Sequence, residues 1–240
     1  MTMSRLVSTS AWRYAVGEVV LIVVGVTIAL AATSWYEGRQ QRRDEVALLQ
    51  QLRRTLAEDL QDIDMEWEIT QQREHHLTDL LHHLESGQPY TAELGVKFQA
   101  LLGWRTSQIK TAPFETLKAE SYSLISGEKL REKLMSFYED RYRRLLNNLG
   151  LDRDFVIEKV QPYYLENFVM RVADERDVDG GMQAWVPKDY ERIQGEGYIA
   201  NLCRFRADLL RRFALRDYEE TTALMRDILQ NLDEELGTPN

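Results

Sequence analysis

The sequence predicts an all-α protein in which one N-terminal transmembrane helix leads into an elongated antiparallel helical bundle. Three observations support this fold class. Residues 15–34 form an apolar run with a single ionisable residue, Glu18. Apolar residues then recur in a heptad pattern over residues 37–85, which is typical of a long helix with coiled-coil character. One line of this heptad runs through positions 46, 53, 60, 67, 74 and 81, and the other through positions 49, 56, 63, 70, 77 and 84. Only 5 prolines and 13 glycines occur among 240 residues, so residues that break helices are scarce.

The apolar run is long enough to cross a bilayer. About 20 helical residues, rising 1.5 Å each, span roughly the 30 Å hydrocarbon layer. Trp12 and Tyr14 precede the run, and Trp35 and Tyr36 follow it, which is an aromatic pair at each expected interface. We therefore assign residues 1–14 to a short tail and residues 15–36 to a transmembrane helix.

The alternative to an anchor is a cleavable signal peptide. The small residues of Ala29-Leu30-Ala31 resemble a cleavage site after an apolar core. Glu18 inside the apolar segment, and the bulky Trp35 and Tyr36 that precede several arginines, are more typical of an anchor. The sequence thus favours a single-pass membrane protein.

One face of the membrane helix carries Glu18 and small residues. Glu18, Gly25, Ala29 and Thr33 follow one another at helical spacing. Small residues let a neighbouring backbone approach closely, which is how membrane helices associate. We expect a homo-oligomer whose glutamates face the helix contact. The alternative is that Glu18, within a turn of Tyr14, reaches the membrane surface.

The arginines flanking the span leave its orientation open. Five follow it closely, at positions 39, 42, 43, 53 and 54, whereas Arg5 and Arg13 precede it. The positive-inside rule then favours a cytoplasmic bundle, but long domains translocate largely regardless of charge. A tail of fourteen residues is too short for an output module, so signalling would need a partner.

Charge and cysteine content exclude several classes. The net charge is −9, and residues 1–36, with two arginines and one glutamate, leave about −10 on the remainder. Nucleic acid is therefore not an expected partner, because phosphate contacts need a concentrated basic surface. Cys203 is the sole cysteine, so neither an intrachain disulfide nor a thiolate metal cluster is expected.

Glycine and proline positions divide residues 37–236 into helices. Ser86-Gly87-Gln88-Pro89 ends the long helix, Pro113 suits the first turn of another, and Ser126-Gly127 breaks the chain again. Pro162 should bend its helix. The predicted helices are 37–85, 92–104, 113–125, 128–149, 151–172 and 198–236. Residues 173–188, with the turn Asp179-Gly180-Gly181, form a predicted loop, and 237–240 a fraying tail.

Two blocks of sequence resemble a known family. The first is YAVGEVVLIVVGVTIAL, from Tyr14 to Leu30. The second combines FETLK, from Phe114 to Lys118, with LIS at 124–126 and EKLREKL at 128–134. These blocks resemble a bacterial family of uncharacterised single-pass membrane proteins, a domain of unknown function common in Bacteroidetes-like genomes. Residues 31–34 depart from the Asn-rich turn that this family often has. The resemblance implies an anchored protein and no activity.

The histidines are the main candidates for chemistry. His75, His76, His82 and His83 surround Asp79, and imidazole and carboxylate groups on one helical face are able to bind zinc or nickel. The heptad places these side chains on the outer face, which favours a solvated surface. The chain contains no Glu-x-x-His pair for a di-iron site, so we expect a set of acids on the long helix to be solvated: Glu58, Asp59, Asp62, Asp64, Glu66 and Glu68.

The sequence contains no recognisable catalytic motif. Glycine-rich phosphate loops, a nucleophile elbow and a His-Glu-x-x-His pattern are all missing, so we predict no catalytic residue and no cofactor. The expected function is a non-enzymatic scaffold or interaction subunit with an unknown protein partner. The alternatives are a sensory or small-molecule-binding bundle acting through a membrane partner, and a metal-binding protein.

Overall fold

The computed structural model describes residues 9–120, 124–171 and 184–237, and the side chains of 17–119, 124–170 and 185–237. It confirms the all-α fold class, since 85% of the described residues are helical and they contain one two-stranded sheet. The helices before the sheet are α1 (Thr9–Glu85), α2 (Leu94–Leu102), α3 (Ala112–Glu120), α4 (Glu128–Met135), α5 (Tyr142–Phe155) and α6 (Gln161–Asn167). The strands are β1 (Phe168–Arg171) and β2 (Ala184–Pro187), followed by α7 (Tyr190–Glu196), α8 (Tyr198–Leu209) and α9 (Arg216–Leu236).

The chain divides into two compact units, residues 1–49 and 50–240. In the first unit the helix already begins at Thr9, so the predicted tail of 1–14 is too long, and residues 1–8 lie outside the described residues. Every described side chain from 17 to 44 is exposed. By length and composition this helix is able to cross a membrane.

In the second unit, the inner face of α1 departs from the predicted heptad. The positions 56, 63, 70, 77 and 84 are all buried, as expected. The second buried line runs through Leu52, Asp59 and Leu80, one residue before the predicted positions such as Arg53 and Leu60. The prediction missed this line because it carries charged residues, which a search for apolar positions passes over.

Residues 128–167 form one continuous helix. The predicted break after residue 149 is wrong, because α5 runs through Gly150. Two π-helical turns, Ser136–Arg141 and Val156–Val160, interrupt the α-helical hydrogen bonding. The second turn ends two residues before Pro162, which lacks a backbone donor, so the change in hydrogen bonding lies where an α-helical bond is missing.

The predicted helix 151–172 ends early, and part of the predicted loop 173–188 is a strand. Strand β1 pairs antiparallel with β2, and Val169 opposes Val186. A phenylalanine and valines within short apolar segments favour strand over helix here. The Asp179-Gly180-Gly181 turn lies outside the described residues. Helix α7 was not predicted either, although Asp189 caps its N-terminus by accepting a hydrogen bond from the backbone of Arg192 at 3.0 Å.

The remaining predicted bounds differ by smaller amounts. Helix α2 is shorter at both ends than 92–104, and α3 is described as helix to Glu120, with Ile125 outside it. Residues 198–236 are helical throughout, with a π-helical turn at Leu210–Leu215. Residues 238–240 of the predicted tail lie outside the described residues.

The C-terminal helix buries part of the apolar stripe that helical spacing predicts for residues 198–236. The buried members of that stripe are Ile199, Leu202, Ile228 and Leu232, whereas its members Phe205 and Phe213 are 57% and 43% exposed. The buried side instead includes Cys203, Arg206 and Ala214. The small residues allow neighbouring helices to pack closely. The charge of Arg206 is neutralised by Asp152, so an arginine is able to lie in the core.

Candidate functional site: charged residues on the inner face of α1

Three ionisable side chains lie on the inner face of α1 at seven-residue intervals: Asp59, Glu66 and Arg73. Successive members are about 10 Å apart along the axis, since each residue rises 1.5 Å. Residues 103–111, which connect α2 to α3 without regular structure, supply partners to this row. The row places ionisable groups on the otherwise mostly apolar inner face of α1.

Asp59 is the most deeply buried of the three, with no exposed side-chain surface. Its Oδ2 accepts a hydrogen bond from the backbone of Lys110 at 2.9 Å, and Lys110 Nζ lies 3.7 Å from Oδ1. Burial raises the pKa of Asp59, although the hydrogen bond and charge of Lys110 act in the opposite direction. The hydroxyl of Tyr138, a buried residue, has no hydrogen-bond partner among the described residues, and its pKa is raised by burial and by Asp59.

Glu66 pairs with Arg105 and borders a cleft. Arg105 Nη2 and Nε lie 2.6 and 2.8 Å from Glu66 Oε1. The other oxygen, Oε2, is buried without a hydrogen-bond partner in the described part of the chain. The adjoining cleft has a volume of about 280 Å³ and is lined by both α1 and the connecting residues, including Met65 and Ser107.

Two tyrosines fix the connecting residues against the bundle. Ser107 Oγ donates to the hydroxyl of Tyr218 at 3.1 Å, and the backbone of Ile109 donates to the hydroxyl of Tyr142 at 3.1 Å. Because both tyrosines belong to long helices, they hold this irregular backbone at a fixed distance from α1.

Arg73 lies near a second buried cation, Arg206. Arg206 binds both oxygens of Asp152 and three carbonyl oxygens at the end of α2, so its donors are fully used. Burial, and next the charge of Arg206, lowers the pKa of Arg73 to about 10. Asp152 and Glu66 act in the opposite direction.

Most carboxylate oxygens of this row are occupied by contacts within the bundle. Asp59 contacts the backbone and ammonium groups of Lys110, and Glu66 contacts the guanidinium of Arg105. In the described part of the chain, one oxygen of each carboxylate accepts no hydrogen bond. Sequence reasoning grouped Asp59 and Glu66 with the solvated acids and did not mention Arg73. The signal that would have found them is their seven-residue spacing beside a buried apolar line.

The residues predicted for association of the membrane helix share an exposed face. Glu18, Gly25, Ala29 and Thr33 are all exposed, and Thr33 Oγ1 donates to the carbonyl of Ala29 at 3.0 Å. A Cβ atom added to Gly25 would meet no atom within 4 Å. The surface that a second helix would occupy is therefore uncovered in the single chain.

The histidines do not converge on one point. His75 Nε2 lies 3.8 Å from Asp79 Oδ2, but Asp79 is also 3.2 Å from Lys97 Nζ. His83 Nε2 contacts the carbonyl of Pro89 at 3.0 Å, and His82 is exposed. Within the described ranges, no group of three histidine, cysteine or acidic residues is placed to hold a metal ion.

Comparison with known proteins gives one match. A model of a protein family described as a family of unknown function (DUF6090) matches residues 18–161, more than half of the chain. The match begins at Glu18 and ends within the helix 128–167. No curated protein and no solved structure matches the chain.

Proposed function

The chain belongs to the DUF6090 family of unknown function, and we propose that it is a non-enzymatic, membrane-anchored interaction subunit that self-associates in the bacterial inner membrane. The helical bundle would then hold a protein partner near the membrane. The observation that carries this proposal is the uncovered face of the membrane helix, on which Glu18 shares a surface with Gly25, Ala29 and Thr33.

Lipid supplies no hydrophobic drive for helix association, so close backbone packing and polar contacts must provide it. Gly25 supports such packing because its surface leaves room for another backbone. Glu18 supports it because an ionisable group in a membrane helix needs a polar partner or access to water. A second copy of the helix provides both a backbone and a glutamate.

The test measures chemical crosslinking of the full chain in isolated membranes. We expect Gly25→Ile to reduce the crosslinked dimer severalfold, because the added side chain separates the backbones. Val20→Ile, on roughly the opposite side of the helix, is the matched control and should leave the dimer unchanged. Glu18→Leu should weaken the dimer to a smaller extent. An unchanged dimer in Gly25→Ile would contradict self-association through this face.

A second candidate function, binding of a small molecule, is favoured by the cleft beside Glu66. Both Asp62 and Glu66 line this cleft, so it suits a ligand that is positively charged and donates hydrogen bonds, such as a primary amine. In this alternative the bundle is a sensor that acts through a membrane partner.

Thermal unfolding with a panel of free amino acids and primary amines tests this candidate. A ligand that binds the folded state raises the unfolding temperature. We expect Glu66→Gln to abolish the shift and the exposed control Glu68→Gln to retain it. If no compound shifts the wild-type transition, or if Glu66→Gln responds equally, the cleft is not a binding site for these ligands.

A further inference from the structure

The helix just beyond the apolar run presents two aromatic residues and two arginines on one side. Trp35 and Tyr36 are 64% and 67% exposed. At 100° per residue, these side chains, Arg39 and Arg43 fall within roughly one third of the circumference. The guanidinium carbon of Arg39 lies 4.8 Å from the centre of the Trp35 ring, a cation–π contact.

The acidic residues of the same segment lie elsewhere on the helix. By the same rotation, Glu37, Asp44 and Glu45 fall outside the aromatic and basic side. Asp44 accepts a hydrogen bond from Gln40 at 3.0 Å, and Glu45 pairs with Arg42 at 2.6 Å. In the described part of the chain, Arg39 and Arg43 form no ion pair. Their positive charges are therefore available to an outside anion.

The depth of these arginines matches that of lipid phosphates. If the hydrocarbon layer ends near residue 34, Arg39 lies about 6 Å and Arg43 about 12 Å beyond Trp35 along the axis. The headgroup layer is roughly 5 to 8 Å thick on each side. Helical side chains lean towards the N-terminus, which here means back towards the bilayer. The contact of Arg39 with Trp35, four residues earlier, shows this direction.

We propose that Trp35, Tyr36, Arg39 and Arg43 form a binding site for the phosphate of an anionic phospholipid headgroup. A guanidinium offers paired donors that match phosphate oxygens. The ring of Trp35 holds Arg39 in place, and both aromatic residues suit the membrane surface. This inference rests on the proposed membrane anchor and adds the class of lipid that surrounds it.

Native mass spectrometry of the full chain in detergent tests the site by titration with phosphatidylglycerol and with phosphatidylcholine of the same acyl chains. We expect wild type to prefer phosphatidylglycerol, and Arg39→Gln with Arg43→Gln to lose roughly fivefold in that preference for each arginine. Trp35→Leu should lose a smaller factor. The control, Arg212→Gln with Arg216→Gln, removes two exposed arginines of the bundle and should keep the preference.

Three results would overturn the proposal. They are equal affinities of wild type for both lipids, a preference that survives in the double variant, and an equal loss in the control. Millimolar inorganic phosphate should not displace phosphatidylglycerol, because the site requires a lipid at the bilayer surface; displacement would show a general phosphate site instead.

Cell fractionation separates a failure of the lipid site from a failure of the membrane anchor. A membrane-bound chain without lipid preference contradicts only the lipid site, whereas a chain outside the membrane fraction contradicts the anchor.

Discussion

Arg206 and Asp152 form a doubly hydrogen-bonded ion pair inside the bundle. Arg206 Nε lies 2.8 Å from Asp152 Oδ1, and Nη2 lies 2.9 Å from Oδ2. The side chain of Arg206 is completely shielded from solvent, and that of Asp152 is 5% exposed. The remaining donors of Arg206 satisfy carbonyl oxygens of Ala100, Leu101 and Gly103, which α2 leaves unpaired at its end. One side chain thus joins three segments of the chain.

Removal of one partner of this pair should strongly destabilise the bundle. We expect Asp152→Ala to lower the free energy of unfolding by about 3 to 5 kcal/mol, because it leaves the buried charge of Arg206 without compensation. Chemical denaturation of the detergent-solubilised full chain, followed by circular dichroism, measures this effect.

The matched control is Arg204→Gln, two residues before Arg206 in the chain. It removes an exposed ion pair between Arg204 and Glu85. Exposed pairs contribute at most about 1 kcal/mol. Equal losses in Asp152→Ala and Arg204→Gln would show that the buried pair has no special role in stability.

The free energy of unfolding of the bundle should depend on the protonation of Asp59. Burial raises the pKa of Asp59 in the folded state above its ordinary value of 3.8. The folded state therefore binds a proton at Asp59 more tightly than the unfolded state does. The stabilisation that this proton gives to the folded state is complete below the unfolded pKa and is lost as the pH rises through the folded pKa.

Asp59→Asn tests this pH dependence. Asparagine keeps an acceptor for the backbone of Lys110 but has no charge to bury. We expect the variant to be more stable than wild type at pH 7, by on the order of 1 kcal/mol, and this advantage to shrink as the pH falls towards 4. Unfolding temperatures measured across that range give the result. Asp140→Asn, at an exposed position of the bundle, should show no such trend.

The charged row on α1 also shows what sequence reasoning is able to predict. The apolar line through Leu56, Ile63 and Leu77 was predicted correctly because its period is that of a helix packed on one side. The line of Asp59, Glu66 and Arg73 was missed because the partners of its acids lie on distant segments. Arg105 is 39 residues from Glu66 in the chain, and Lys110 is 51 residues from Asp59.

Local structure set by distant contacts was also missed. The hairpin of β1 and β2 depends on pairing between Val169 and Val186, which no local pattern reveals. The predicted helices ended and restarted around Gly150. A glycine inside a helix lowers its stability by only about 1 kcal/mol relative to alanine, and tertiary packing offsets this loss. By contrast, the glycine and proline after Glu85 ended α1 as predicted, since Gly87 adopts φ of +68°.

Cys203 should be inert in the folded protein. Its side chain is fully buried, and burial raises the pKa of the thiol to about 12, so very little thiolate forms at neutral pH. We expect a maleimide to label the native chain only as fast as the bundle unfolds, and to label it completely in denaturant. Mass spectrometry measures the labelled fraction over time.

A cysteine at an exposed position provides the comparison for Cys203. Phe205→Cys in a Cys203→Ala background places the thiol at a site where the native side chain is 57% exposed. That thiol should react within minutes. Rapid stoichiometric labelling of native wild type would contradict the buried position of Cys203 and the face that the C-terminal helix turns to the core.

The sequence leaves open the side of the membrane on which the bundle lies, and fusions at the C-terminus of the chain decide it. Arg39, Arg42 and Arg43 follow the predicted span directly, so the positive-inside rule favours a cytoplasmic bundle, although long domains translocate largely regardless of charge. On that rule, we expect a fusion of green fluorescent protein after Asn240 to fluoresce in living cells, and an alkaline phosphatase fusion at the same position to be inactive. Replacement of the three arginines by glutamine should reduce fluorescence and increase phosphatase activity, since the charge asymmetry is then lost. High phosphatase activity in the unmodified chain would contradict the prediction and place the bundle outside the inner membrane, where its partners would belong to the cell envelope.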